Sequence, residues 1–181
     1  MELNEKTLDS QEIFRGRILT LRVDKVALPD GSTSTREIVE HSGAVAIVAM
    51  DRDNMLWMVR QYRKPLEKVL LEIPAGTLEP GEDPLACAQR ELAEETGLRA
   101  AKWAKVLEYF SAPGFCNEKL HLFLARELTE GPKNPDHDEF LEVDRIPLEQ
   151  AYKSIFTGQI LDGKSIIGIQ YAWWQMMGVK F

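Results

Sequence analysis

Cysteine and histidine are scarce in this chain of 181 residues, which has two of the first and three of the second. Cys87 and Cys116 form neither a zinc-type ligand spacing nor a disulfide framework. The three histidines read as two structural side chains, His41 and His121, and one solvent-facing one, His137. Basic residues are outnumbered, with 22 Lys and Arg against 29 Asp and Glu and a net charge of −7, so the basic face that broad nucleic-acid or anionic-membrane binding needs is missing. No run of about 18 consecutive apolar residues exists to cross a bilayer. The start, MELNEKTLDSQEIF, lacks a basic stretch followed by an apolar one. The expectation is a soluble cytoplasmic protein without internal repeats or low-complexity tracts.

With 44% hydrophobic residues, the chain can bury a proper core as one domain with a small appendage. Two regions stand out. From about Ile13 to Val39, the stretches 18–23 and 36–39 alternate around the turn-forming Pro29-Asp30-Gly31, which predicts a small antiparallel sheet or hairpin. Such a sheet is too small to bury much alone and needs the main body or a second subunit to pack on. Beyond Gly43, segments 44–50 and 55–60 read as buried strands of a meander about the turn 51–54. Further strands are expected over 103–110 and 119–128, helices over 148–157 and 165–177, and an acidic loop over 135–139. Trp173 and Trp174 are expected to cover the core. Strands and helices in this mixed order suggest an α/β sandwich.

The chemistry is concentrated between Gly76 and Leu98, in GTLEPGEDPLACAQRELAEETGL. Asp83 is a good N-cap, Pro84 suits the first helical position and Gly97 suits a left-handed terminus, which predicts a helix over 84–96. On it, Glu91, Glu94 and Glu95 share one stripe as i, i+3 and i+4, while Leu85, Ala88, Leu92 and Thr96 form a neighbouring apolar one. Three like charges on one face repel unless something cationic binds, and clustered carboxylate oxygens suit the hard cations Mg²⁺ and Mn²⁺. Without its spacing, such a cluster would read as a solvated acidic surface. Cys87 falls on the glutamate side as a small filler.

That spacing is glycine, five residues, glutamate, seven residues, Arg-Glu-aliphatic, one residue, Glu-Glu, one residue, glycine, aliphatic, with every specified position filled. It resembles the signature box of the Nudix hydrolases, which cleave nucleoside diphosphates linked to another group. The flanks, Gln61-Tyr62-Arg63, Leu71-Glu72-Ile73-Pro74-Ala75-Gly76 and Ser111-Ala112-Pro113-Gly114-Phe115, look like the ADP-ribose pyrophosphatase branch, whose marker proline is matched by Pro113.

The resemblance implies an α/β/α sandwich with a mixed sheet over residues 41–181, plus a small N-terminal antiparallel β region over 1–40 that dimerises. It implies Mg²⁺ or Mn²⁺ held by Glu91, Glu94, Glu95 and the Ala75 carbonyl, with Arg90 orienting the carboxylates and Glu82 binding Arg90 or a metal-bound water. Arg63 is the candidate for a phosphate oxygen, its alternative being a surface arginine, and Glu118 for the metal cluster or a ribose hydroxyl. Phe14, Tyr62 and Phe115 are among the aromatics available to stack on adenine. The general base is Glu139, with Asp136, Asp138 and the box residues Glu94 and Glu82 as alternatives. The implied reaction is metal-dependent hydrolysis of ADP-ribose to AMP and ribose 5-phosphate by a homodimer acting on a small nucleotide-sugar. Another nucleotide-sugar such as GDP-mannose, or a non-catalytic nucleotide-binding module, are the alternatives.

Overall fold

The structure is a computed structural model, and it describes residues 3–132 and 140–179. The chain forms two compact units, one drawn from Met1–Gly43 and Tyr109–Lys119, the other from Ala44–Glu108 and Leu120–Phe181.

The first unit carries a three-stranded antiparallel sheet in the order β1 (Lys6–Arg15), β2 (Leu19–Ala27), β3 (Thr33–His41). The expected turn joins β2 to β3, where Gly31 adopts φ 85° and Asp30 Oδ1 accepts from the Ser32 amide at 2.9 Å. The sequence reading did not anticipate β1. All ten of its residues are exposed, so its side chains carry no inside-outside alternation to read. Asp24 is the unit's buried carboxylate, held by Arg22 and by Ser10 Oγ at 2.7 Å. The 109–119 segment adds backbone bonds to β3, from Val39 to the Phe115 carbonyl and from Asn117 to the Val39 carbonyl.

The second unit is built on a seven-stranded mixed sheet. Its main order is β10 (Leu141–Pro147), β5 (Met55–Arg63), β4 (Ala44–Met50), β9 (Lys119–Glu130), β8 (Leu98–Phe110), with β6 (Lys68–Glu72) on β5 and β7 (Ala75–Thr77) on β4. Central β4 runs parallel to β9 and antiparallel to β5 and β7. Its sequence AVAIVAM is buried at every position, as a strand covered on both faces must be. Helix α1 (Pro84–Thr96) covers one face, where Val45, Ile47 and Ala49 meet Ala88, Leu92, Leu98 and Phe123. Helix α3 (Gly163–Met176) covers the other so closely that a β-carbon on Gly168 would lie 2.8 Å from Val48 Cγ2. Helix α2 (Leu148–Phe156) packs on α3, with Tyr152 stacked on Trp173 at 4.6 Å between ring centroids.

This is the expected α/β/α sandwich, with local corrections. Strand β8 begins at Leu98, directly after the helix, rather than at Trp103. Leu85, assigned to the apolar stripe, is 36% exposed, because it sits in the first turn beyond the reach of the core. Trp174 is 43% exposed near the end of α3 and does not cover the core, whereas Trp173 is half-buried.

Candidate active site

Helix α1 starts and stops where its sequence dictates. Asp83 Oδ2 accepts from the amides of Leu85 and Ala86 at 3.0 and 3.1 Å, and Gly97 closes the helix at φ 74° with its amide on the Ala93 carbonyl. Those two caps fix the rotation of the glutamate stripe relative to β7.

Glu95 and Glu91 face that strand. Glu95 is 2% exposed, and its Oε2 accepts from the Ala75 amide at 3.1 Å. Glu91 lies over Gly76, where an added β-carbon would fall 1.8 Å from the Glu91 Cδ. The glycine is therefore a requirement of close approach, since any side chain there would occupy the space of the carboxylate.

Arg90 gathers the remaining carboxylates. Its Nε and Nη2 donate to the two oxygens of Glu82 at 3.0 and 3.1 Å, and its Nη1 donates to Glu91 at 2.8 Å and Glu94 at 2.9 Å. The Arg90 guanidinium holds the Glu82 carboxyl down to about 2, outweighing the upward push of burial. The Arg90 pKa is raised in turn, mainly by its bond to Glu82. Cys87 lies beneath this cluster, with its Sγ 3.4 Å from Arg90 Nη2, and burial with the adjacent carboxylates pushes its thiol up to about 12.

The helix thus supplies its own cation for the repulsion its glutamates create. Among the described residues, no three His, Cys, Asp or Glu side chains converge as a finished metal shell. The donor set nevertheless fits a hard divalent cation. It offers carboxylate oxygens on one stripe, with Glu95 fixed by a backbone amide and Glu91 set against a glycine that leaves it room.

Arg63 belongs to a separate cluster at the ends of β5 and β6. Its Nε and Nη2 grip Glu72 at 2.8 and 2.7 Å, and Glu95 adds to the field that raises its pKa. The sequence reading missed the rest of that cluster, which is Glu72, Lys164, Asp162 and Ser165. It brings together residues 92 positions apart, and no local pattern announces such a pairing.

Glu118 lies in the other unit, with its Oε1 3.8 Å from His41 Nδ1. His121 is held on β9 with its Nδ1 3.0 Å from Glu108 Oε1. Phe14, Tyr62 and Phe115 are all exposed. Asp136, Asp138 and Glu139 lie outside the described residues.

Comparison with known proteins is consistent across the chain. Residues 40–165 match the NUDIX domain, and residues 5–39 match the nucleoside diphosphate sugar hydrolase N-terminal domain. The chain is 46% identical over 171 residues to an ADP-ribose pyrophosphatase of Bacillus subtilis, covering 93% of this chain and 92% of the relative. It is also 46% identical over 169 residues to a methanol dehydrogenase activator of Bacillus methanolicus, covering 92% and 91%. A crystal structure of an ADP compounds hydrolase superposes with a TM-score of 0.85 over 98% of both chains at 23% identity, which speaks to the fold.

Proposed function

The chain belongs to the Nudix family of hydrolases, and on that premise we propose that it hydrolyses the pyrophosphate bond of ADP-ribose to AMP and ribose 5-phosphate. The near full-length likeness to the Bacillus subtilis ADP-ribose pyrophosphatase carries this reading. The carboxylate cluster against Ala75 and Gly76 supplies the chemistry it needs.

A pyrophosphate diester is anionic at both phosphates and repels an incoming hydroxide, so its cleavage needs charge neutralisation and a positioned water. In this proposal Glu91, Glu94, Glu95 and the Ala75 carbonyl hold Mg²⁺ or Mn²⁺, which when bound neutralises phosphate charge and makes water a better nucleophile. The protein's own groups do the rest. Arg90 spaces and orients the carboxylates, and Arg63 binds a phosphate oxygen through the side of its guanidinium that Glu72 does not occupy. A carboxylate takes the proton as the water oxygen bonds to phosphorus and the bridging P–O bond breaks. Glu139 is assigned that role, with Asp136, Asp138 and Glu94 behind it. Glu82, held near pKa 2 by Arg90, is a weak base at neutral pH and serves to fix Arg90. Glu118 is assigned to the metal cluster or to a ribose hydroxyl.

The same reading makes the protein a homodimer through its N-terminal unit. In support, β1 is an edge strand exposing Leu8, Ile13 and Phe14, a combination that invites a partner. A monomeric mass in solution at micromolar concentration would remove this part.

The test of the activity is turnover of a panel of ADP-sugars, GDP-sugars, dinucleoside polyphosphates and deoxynucleoside triphosphates with Mg²⁺ and with Mn²⁺, and with Glu95→Gln as control. AMP release from ADP-ribose, lost in the variant, is expected. Faster cleavage of GDP-mannose would move the assignment to that substrate. The relative named as a methanol dehydrogenase activator supports a second reading, action on a dehydrogenase, which is checked by adding the protein to a methanol dehydrogenase assay.

A further inference from the structure

The N-terminus of α3 reaches the ends of β5 and β6 through a buried ionic chain. Lys164 Nζ donates to Glu72 Oε2, and also to Asp162 Oδ2 at 3.0 Å. Glu72 is 1% exposed and the Lys164 side chain 12%, so this contact is almost fully shielded from water. Burial would raise the Glu72 pKa, but Arg63 and Lys164 together hold it below the ordinary carboxylate range. Beside it, Ser165 Oγ donates to Asp162 at 2.6 Å and accepts from the Ile73 amide at 2.8 Å. Two residues on, the Ala75 amide meets Glu95.

We infer that Lys164 is a positioning residue for the anionic part of the substrate: by sharing the Glu72 carboxylate it fixes the Arg63 guanidinium and keeps its charge available to a phosphate. This rests on the pyrophosphate reading above. The charge count gives the reason. Within this hydrogen-bonded chain Arg63 and Lys164 balance Glu72 and Asp162, and since Glu95, outside it, also adds its negative field at Arg63, the lysine's charge is what leaves the guanidinium able to attract an anion. Without Lys164, Arg63 would face two carboxylates in a cluster of net charge −1. Glu72, with one partner fewer, would no longer be held from both sides, and the guanidinium bonded to it would loosen and shift away from the phosphate. A buried carboxylate holding a single arginine would need no lysine on a helix 92 residues away; one that must hold the arginine without neutralising it does.

Two readouts on the full-length protein test this. In steady-state hydrolysis of ADP-ribose with Mg²⁺, Lys164→Met is expected to raise KM about tenfold while kcat stays within about twofold, and Lys164→Arg to restore most of the loss. Independently of any activity, the ¹H–¹⁵N signal of the Arg63 Nε–H, assigned by its absence in Arg63→Lys, should be protected from exchange in the parent and lose protection in Lys164→Met. If Lys164→Met does not fold, Lys164→Gln is read in its place, with the same expected loss of protection. An unchanged Arg63 signal, or an equal fall in kcat with KM unmoved, overturns the inference. Failure of the parent to cleave ADP-ribose would overturn the substrate reading alone, because the Arg63 signal still decides whether Lys164 positions it.

Discussion

The Ala75 amide donates to Glu95 Oε2 across 3.1 Å, joining the short strand β7 to the last turn of α1. The neighbouring Gly76 has no side chain because Glu91 fills that space. Helix and strand are therefore registered at two successive residues, and the carboxylate stripe can be perturbed from the strand side.

Gly76→Ala should leave a folded protein whose activity is reduced at least about a hundredfold, since a methyl group must displace the Glu91 carboxylate. Circular dichroism and kcat/KM on the same sample check this; a variant of near-normal activity would contradict the packing at β7.

Arg90→Met should make stability depend on added divalent metal. Glu82, Glu91 and Glu94 lose their shared cation, a cost of about 1–3 kcal/mol at low ionic strength, which for a chain of this size lowers Tm by about 2–12 °C. Titrating Mg²⁺ in a melting experiment should recover more of that loss in the variant than in the parent.

Glu82 should mark the acid limit of the helix start. Its pKa in the fold, about 2, lies below the ordinary carboxylate value, so its pairing with Arg90 stabilises fully above about pH 4.3 and is lost as pH falls toward 2. The stability difference between the parent and Glu82→Gln, followed by urea unfolding, should be constant from pH 7 to about 5 and shrink below about 4.

The two thiols should separate in reactivity. Cys87 is buried with its pKa pushed up to about 12, whereas Cys116 is partly exposed. Alkylation at pH 8 followed by mass spectrometry should label Cys116 first and Cys87 only under denaturing conditions.

Helix α1 was legible in the sequence to the residue, because both its caps and its carboxylate spacing are local. Strand β4 was legible because a fully buried strand leaves a continuous apolar run. The sequence was silent about β1, whose residues are exposed throughout, and about the parallel pairing of β4 with β9, which depends on residues about 75 positions apart. At the site, the glutamates and Arg90 could be read together because they share one helix. The bond between Arg63 and Glu72 and its extension to Lys164 could not, because nothing in a linear pattern says which distant lysine meets which carboxylate.

Arg90 also bears on how the protein would live through shortage. A helix whose carboxylates already have a resident counter-charge does not need an imported ion to fold. Chelation should then silence the enzyme while leaving it intact, and replenishment should restore it without refolding, so that its working state follows the supply of metal and its abundance does not.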